Sequence, residues 1–269
     1  MTEHQISIKG LVTNYKLFGQ GKPFDSAQGK PFLILHGWVS SSGQWKKVGE
    51  LLAHNNIMAV VPDLPGFGKS QEPNKPWDVD DYVEWAFEFS QKVPELGNGF
   101  YLLGHSFGGA VAAKFSVKYN QKVEKLFLAA AAIVREKTIA KNTFARIAKV
   151  VNIFSFLPYY KMFRKAVYKF VLQKSDYPHV SGIMKETFIK VVSEDLTYCL
   201  PFIKVPTMII WGDKDKFTPL YQSEIINKKI ENSTLVIIPK TGHILEINVP
   251  EILAEKIMGN LPGQIKSLP

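Results

Sequence analysis

The sequence predicts an α/β protein in which a doubly wound, mostly parallel sheet carries helices on both faces. Two observations support this prediction: short apolar runs of four or five residues recur along the chain, and helical patterns fall between them. Runs that are apolar on both faces are typical of strands buried between two layers of helices, and parallel strands require such crossover helices. With 269 residues and 46% hydrophobic content, the chain is long enough to bury one large core.

The predicted elements follow one another in a regular order. Residues 5–18 alternate between polar and apolar side chains and predict an antiparallel hairpin. The apolar runs predict strands at residues 32–35, 57–61, 100–103, 126–130, 207–211 and 235–238. The helical patterns predict helices at residues 45–54, 79–93, 107–119, 220–230 and 250–260.

One long interruption breaks this order. About 75 residues separate the strand that ends near Ala132 from the strand that begins near Thr207, which is too long for a simple loop. We therefore predict a helical lid, or cap, inserted at residues 134–205 between the core segments 1–133 and 206–269.

A short tandem duplication lies near the start of the chain. GKPF occurs at residues 21–24 and again at residues 29–32, with DSAQ between the two copies. Removal of one copy and this spacer would restore a continuous lead into the first apolar run. We therefore predict that residues 22–29 form an added surface loop without a catalytic role.

The net charge of +9 is concentrated in one segment. Residues 135–174 contain ten Lys and Arg residues against one acid, whereas the rest of the chain has 23 basic and 23 acidic residues. Residues 160–172 predict an amphipathic helix with a basic face. Two interpretations stay open: the basic side chains solvate the lid, or they recruit an anionic carrier protein or a membrane surface. We expect no nucleic acid partner, because no nucleic-acid-binding motif accompanies these residues.

The cysteine content and the first residues favour a cytoplasmic protein. A single cysteine, Cys199, excludes an intramolecular disulfide and gives no indication of an oxidising compartment. Residues 1–10 lack the basic start and apolar run of a signal peptide, and no run approaches the roughly 20 apolar residues of a membrane span.

A G-x-S-x-G motif with the appropriate context predicts a nucleophilic serine. GHSFGG at residues 104–109 follows the apolar run at 100–103 and precedes a helical pattern. In this context the glycines permit a sharp strand-to-helix turn that holds Ser106 in a strained, exposed conformation. The helix that begins behind Ser106 directs its first amides at negative charge that develops there.

The sequence resembles the α/β-hydrolase family over nearly its whole length. The similar segments occur in the family's order and are LHGW at 35–38, DLPGFGKS at 63–70, GHSFGG at 104–109, WGDKD at 211–215 and GH at 242–243. The resemblance implies a serine hydrolase whose triad follows the chain order Ser106, Asp215, His243. Its oxyanion hole is then formed by the backbone N–H groups of Trp38 and Phe107.

Two aspartates compete for the acid position of the triad. Asp215 is favoured because it matches the family's W-G-x-x-D-x-x-x-P pattern, four residues after Trp211 and four before Pro219. Asp213 is expected to stabilise its loop by accepting hydrogen bonds from nearby backbone amides.

His243 is the histidine that follows a turn just beyond the last predicted strand, where a loop can carry the imidazole over the edge of the sheet. An imidazole suits the base role because its ordinary pKa of about 6.5 lets it take and return a proton near neutrality. His36 is expected to support its loop and His105 to be a packing position. No role is predicted for the remaining histidines, which are His4, His54 and His179.

Several other chemistries lack their motifs. GFGKS at residues 66–70 is not a phosphate-binding loop, because that motif requires glycine where Asp63 stands. The sequence has neither a dinucleotide-binding motif nor metal-ligand spacing. We therefore predict no metal and no cofactor. Serine at position 106, where family members that open epoxides carry aspartate, favours acyl transfer over an alkyl-enzyme mechanism.

These observations predict a carboxylic ester hydrolase that forms an acyl-serine intermediate, with no cofactor. The aromatic content of the lid suits an apolar acyl group, and Phe144 and Phe163 are candidate substrate-binding residues. The HGW and DLPG segments also resemble esterases that act on acyl-carrier-protein methyl esters. A lactonase, a thioesterase or a carbon–carbon bond hydrolase would use the same triad. From another class, a ligand-binding receptor with vestigial hydrolysis stays an alternative.

Overall fold

The computed structural model describes residues 1–19, 30–135 and 182–261. These residues form one sheet of eight strands in the order β1-β2-β4-β3-β5-β6-β7-β8. The strands are β1 (Thr2–Ile8), β2 (Leu11–Phe18), β3 (Phe32–Leu35), β4 (Ala59–Pro62), β5 (Phe100–His105), β6 (Val123–Ala129), β7 (Thr207–Gly212) and β8 (Ser233–Ile238). β2 pairs antiparallel with both β1 and β4, and all other neighbours are parallel. The predicted hairpin and the mostly parallel sheet are confirmed.

Helices connect the parallel strands. They are α1 (Lys46–His54), α2 (Val79–Lys92), α3 (Phe107–Lys118), α4 (Gly182–Ser193), α5 (Leu220–Lys229), α6 (Leu245–Asn248) and α7 (Pro250–Met258). The five predicted crossover and C-terminal helices are confirmed to within two residues at each end. The sequence did not predict α6, which is a single turn between β8 and α7.

The doubly wound arrangement follows from the alternation of side chains along each strand. In β3, Leu33 and Leu35 belong to one buried cluster, which also contains Phe89 of α2 and Phe115 of α3. Phe32 and Ile34 belong to a second cluster, which contains side chains of α1 and α7. The sheet therefore has a hydrophobic core on each face.

β8 differs from the prediction that every strand is buried on both faces. Only Ile238 of this strand is buried, and Ile237 is 45% exposed. The physical reason is that β8 is the edge strand, with a neighbour on one side only.

Several predicted features lie outside the described residues. These are the duplicated loop at 22–29, the basic helix at 160–172 and most of the lid. In the described end of the lid, α4 buries Met184 and Val191 in the same cluster as α2 and α3. The lid boundaries stay a prediction.

Close approach of α3 to the sheet depends on the glycines of the nucleophile motif. A Cβ atom at Gly108 would overlap the carbonyl oxygen of Leu35, and one at Gly104 would overlap the carbonyl oxygen of Gly108. The predicted steric requirement for glycine is confirmed. Without a Cβ at these two positions, the start of α3 packs directly against β3 and β5.

The loop after β3 is held by His36. The amide of Leu64 donates to His36 Nε2 at 2.9 Å, so Nε2 is the acceptor and Nδ1 carries the proton that is donated to the Gly37 carbonyl at 2.8 Å. Burial lowers the pKa of His36 from 6.5 to about 4. The prediction that His36 supports its loop is confirmed.

The Gly108→Ala substitution is expected to lower the free energy of unfolding by about 3 kcal/mol, because no rotamer change relieves an overlap with backbone. Urea unfolding followed by circular dichroism measures the loss. Gly242→Ala is the control, since a Cβ at Gly242 meets nothing within 4 Å. Similar losses in the two variants would contradict the steric argument.

Neutral His36 is also expected to make stability depend on pH. Between pH 6.5 and about 4 the unfolded chain binds a proton at this residue and the folded chain does not, so stability falls as the pH falls through this window. The loss reaches about 3 kcal/mol at its lower end. In urea unfolding at a series of pH values, the free energy of unfolding should therefore depend less on pH for His36→Gln than for the wild type. Parallel curves for the two proteins would contradict this role of His36.

Candidate active site

Ser106 lies in the sharp turn between β5 and α3. Its backbone has φ 51° and ψ −115°, on the side of φ that residues other than glycine rarely adopt. The strain is held by hydrogen bonds: the Ser106 amide donates to the Ala129 carbonyl at 3.0 Å, and the Ser106 carbonyl accepts from the amides of Gly109 at 3.0 Å and Ala132 at 2.9 Å. The turn directs the hydroxyl group into a cavity above the sheet.

The structure brings together the three predicted triad side chains. Ser106 Oγ lies 3.0 Å from His243 Nε2, and His243 Nδ1 lies 2.8 Å from Asp215 Oδ2. With the ring proton on Nδ1 donated to the carboxylate, Nε2 is left to accept the serine proton. This is the geometry in which an imidazole acts as a base toward a hydroxyl group.

The Asp215 carboxylate is fully buried and surrounded by donors. Its Oδ1 accepts from the amides of Phe217 at 2.8 Å and Thr218 at 2.9 Å. Burial acts to raise the pKa of Asp215, but the hydrogen bonds and charge of His243 and the hydrogen bonds of Thr218 outweigh it, and the pKa lies below its ordinary value. The carboxylate is therefore ionised and can stabilise a protonated imidazole.

Thr218 is a site residue that the sequence analysis missed. Its hydroxyl donates to Asp215 Oδ2 at 2.7 Å and lies 3.2 Å from His243 Nδ1. The indole of Trp211 donates to the Thr218 carbonyl at 2.7 Å and fixes the loop. The position of Thr218 between Asp215 and Pro219 in the acid motif was the available indication.

Asp213 contacts the backbone of the His243 loop, whereas Asp215 contacts the His243 ring. Its Oδ1 accepts the amide of Thr241 at 3.2 Å, and the neighbouring Lys214 amide donates to the Thr241 carbonyl at 2.9 Å. Asp213 was expected to bond amides of its own loop; instead it bonds the loop that carries His243, because β7 and β8 are adjacent and their C-terminal loops meet.

His105 does more than pack. Its Nε2 donates to the backbone carbonyl of His243 at 2.9 Å and lies 3.7 Å from Glu246 Oε2. Burial lowers the pKa of His105, which keeps the imidazole neutral despite the nearby carboxylate. His105 and Glu246 are both buried, and His105 holds the His243 loop through this backbone hydrogen bond. The sequence analysis did not anticipate Glu246.

Trp38 and Phe107 flank the nucleophile. Their rings contact each other edge to face with centroids 5.4 Å apart, and the Trp38 ring also contacts Phe188 of α4 at 5.2 Å. A Cβ placed on Gly37 would lie 3.2 Å from the Ser106 Cβ, which shows how closely this loop passes the nucleophile. The oxyanion-hole role of the two backbone N–H groups stays a prediction.

A cavity of about 420 Å³ opens above Ser106 and His243. Its described walls are mainly apolar and include Phe107, Phe188 and Val191, with Arg135 among them. The candidate substrate-binding residues Phe144 and Phe163 lie outside the described residues, as do all residues of the basic segment 135–174 except Arg135. An anionic carrier or membrane surface as partner therefore stays a prediction.

Within residues 1–19, 30–135 and 182–261, no group of three or more His, Cys, Asp and Glu side chains is placed to hold a metal ion. No helix in the described part of the chain is sufficiently long and apolar to cross a bilayer.

Comparison with known proteins places this geometry in a family. Residues 29–248 match the family model Hydrolase_4, described as serine aminopeptidase, S33. The chain is 22% identical over 236 residues to Lipase 3 of Moraxella sp., covering 82% of this chain and 73% of the relative. It is 25% identical over 267 residues to human monoacylglycerol lipase ABHD6, with coverages of 87% and 77%.

The fold agrees with solved structures of similar proteins. The esterase EaEST from Exiguobacterium antarcticum superposes with a TM-score of 0.72 at 22% identity, covering 95% of this chain and 97% of that one. With a family model that spans most of the sequence, the chain belongs to the Hydrolase_4 family of α/β-hydrolases and is a serine hydrolase.

Proposed function

We propose that the chain hydrolyses carboxylic esters through an acyl-serine intermediate. The observation that carries the proposal is the 3.0 Å contact of Ser106 Oγ with His243 Nε2 at the base of a largely apolar cavity. A hydroxyl group activated by an adjacent imidazole is the arrangement that acyl transfer requires.

In the first half-reaction, Ser106 Oγ attacks the ester carbonyl carbon while its proton passes to His243 Nε2. Asp215, which accepts the Nδ1 proton at 2.8 Å, stabilises the imidazolium that forms. His243 then returns the proton to the leaving alcohol as the carbon–oxygen bond breaks. In the second half-reaction a water molecule attacks the acyl group with the same base and releases the carboxylic acid.

The negative charge on the tetrahedral intermediate requires donors. Phe107 is the first residue of α3, and the first amides of a helix have no partner within the helix. The Phe107 amide and the Trp38 amide form the proposed oxyanion hole, where each donor contributes about 3 kcal/mol to lowering the barrier. The loop that carries Trp38 is fixed close to Ser106 by the hydrogen bonds of His36.

The cavity favours an ester with an apolar group over a peptide N-terminus, although the family is described by an aminopeptidase. Recognition of an α-ammonium group requires an accessible carboxylate. The acidic side chain among the described cavity residues is Glu246, which is 1% exposed and faces His105. The names of the lipase and esterase relatives support the same proposal.

Ser106→Ala is expected to abolish ester hydrolysis, with kcat falling at least about 10³-fold, because the attacking atom is removed. The rate is measured on 4-nitrophenyl esters of two to eight carbons, and circular dichroism verifies that the variant is folded. A lactone and an acyl thioester measured alongside them test the alternatives. Wild-type rates in Ser106→Ala would refute the nucleophile, and a preference for the lactone or thioester would refute the substrate class.

The two neighbouring aspartates provide a matched pair of variants. Asp215→Asn is expected to lower kcat about 10⁴-fold, because the amide favours the wrong tautomer of His243. Asp213→Asn keeps an acceptor oxygen for the Thr241 amide and loses the carboxylate charge that faces Lys214 Nζ at 3.5 Å, so it is expected to keep kcat within about threefold and to cost at most about 1 kcal/mol of stability. The reverse order of effects on kcat would assign the acid role to Asp213.

A further inference from the structure

Arg135 ends a segment that is fixed to the nucleophile turn. The amide of Ala132 donates to the carbonyl oxygen of Ser106, and Arg135 follows three residues later. Three residues span at most about 11 Å, and the long side chain of Arg135 extends this reach. Arg135 accordingly lines the same cavity as Ser106 and His243.

The backbone of Arg135 is held by the segment that follows α4. The Leu196 amide donates to the Ile133 carbonyl at 3.1 Å, and the Arg135 amide donates to Asp195 Oδ1 at 3.2 Å. The same Oδ1 also accepts from the amide and hydroxyl of Thr197. The main chain therefore fixes the place of Arg135, and its side chain contributes to the cavity wall.

The guanidinium of Arg135 is incompletely satisfied within the described part of the chain. Its Nε is buried without a hydrogen-bond acceptor, and the group forms no ion pair with a carboxylate of residues 1–19, 30–135 or 182–261. A guanidinium stays charged at physiological pH. Asp195 acts on this charge electrostatically, but the half-buried guanidinium keeps donors that an anionic ligand can satisfy.

One acidic residue, Glu246, is among the described residues that line the cavity, and its ion-pair contact is with His105 rather than with Arg135. Glu246 is buried against His105, and the walls near α4 are apolar. Trp38 Nε1 is a second buried donor without an acceptor in the described residues that line the cavity. Two unsatisfied donors in a mainly apolar cavity fit a ligand that carries an acceptor-rich, negatively charged group.

We propose that Arg135 binds a carboxylate or phosphate group of the ester substrate, away from the scissile carbonyl. This inference rests on the proposed esterase function and adds a substrate class: esters whose acyl or alcohol part carries an anionic oxygen group. The guanidinium fork matches both groups, since it binds either through two parallel hydrogen bonds. Partial burial strengthens such a pair by excluding water.

The experiment compares charged and neutral esters of matched length. The carboxylate arm uses the 4-nitrophenyl monoester of glutaric acid against 4-nitrophenyl pentanoate, and the phosphate arm uses 1-octanoylglycerol 3-phosphate against 1-octanoylglycerol. Wild type, Arg135→Gln and Arg135→Lys are measured. Lys216→Gln is the matched control, because Lys216 is an exposed cation outside the described cavity wall.

In Arg135→Gln, kcat/KM on at least one anionic ester is expected to fall about tenfold or more, mainly through KM, while the neutral esters stay within about threefold. Arg135→Lys is expected to lose less, because it keeps the charge without the fork. Loss on the glutarate ester alone identifies a carboxylate, and loss on the phosphate ester alone identifies a phosphate.

Three results would overturn the inference: an unchanged ratio of anionic to neutral turnover, an equal loss on both kinds of ester in a folded variant, or the same change in Lys216→Gln. Turnover of the neutral ester shows whether a variant is folded. If Arg135→Gln is inactive on every ester, Arg135→Lys and Arg135→Met are compared instead. A wild-type ratio of anionic to neutral turnover in both of them contradicts the inference. A wild-type protein that hydrolyses none of the four esters contradicts the proposed function itself, whereas neutral turnover without any effect of Arg135 contradicts only this inference.

Discussion

The left-handed backbone of Ser106 is the constraint on which the rest of the site depends. Such a conformation costs about 1–3 kcal/mol for a residue other than glycine. It persists because the Ser106 amide and carbonyl are both engaged, and because two glycines let α3 press against β3 and β5. The position of the hydroxyl group is thereby fixed by backbone, and the other groups must be brought to it.

His243 is brought to the hydroxyl by contacts on three sides. Asp215 fixes the ring through Nδ1, and His105 fixes the backbone carbonyl of the same residue. Asp213 ties the loop after β7 to the loop after β8 through the Thr241 amide. A reacting geometry that is held before substrate arrives requires little reorganisation during the reaction. The parallel order of β5, β6, β7 and β8 makes this possible, since it collects the carboxyl ends of these strands at one edge.

The parts of the molecule that follow local patterns could be predicted from the sequence. Periodicity located the strands and five helices, and motifs located Ser106, Asp215 and His243. The bond of Thr218 to Asp215 is local and its motif position indicated it, whereas the contacts of Thr218 with His243 and of Glu246 with His105 arise between segments that meet only in the folded sheet. The exposure of β8 depends on its edge position, and α6 is too short to produce a periodic pattern. The partner of Asp213 was misjudged because the amide that donates to it, that of Thr241, lies 28 residues away in the chain.

The chemistry and the cavity wall belong to different pieces of the chain. The triad residues follow β5, β7 and β8, whereas Ala132 and Arg135 follow β6 and Val191 belongs to α4. A backbone hydrogen bond from Ala132 to the Ser106 carbonyl joins the two pieces directly. Because that contact involves only main-chain atoms, side chains on the wall can change without disturbing the position of the nucleophile. The wall can therefore determine which ester is bound, while the strained turn and the fixed imidazole determine that the bound ester is cleaved.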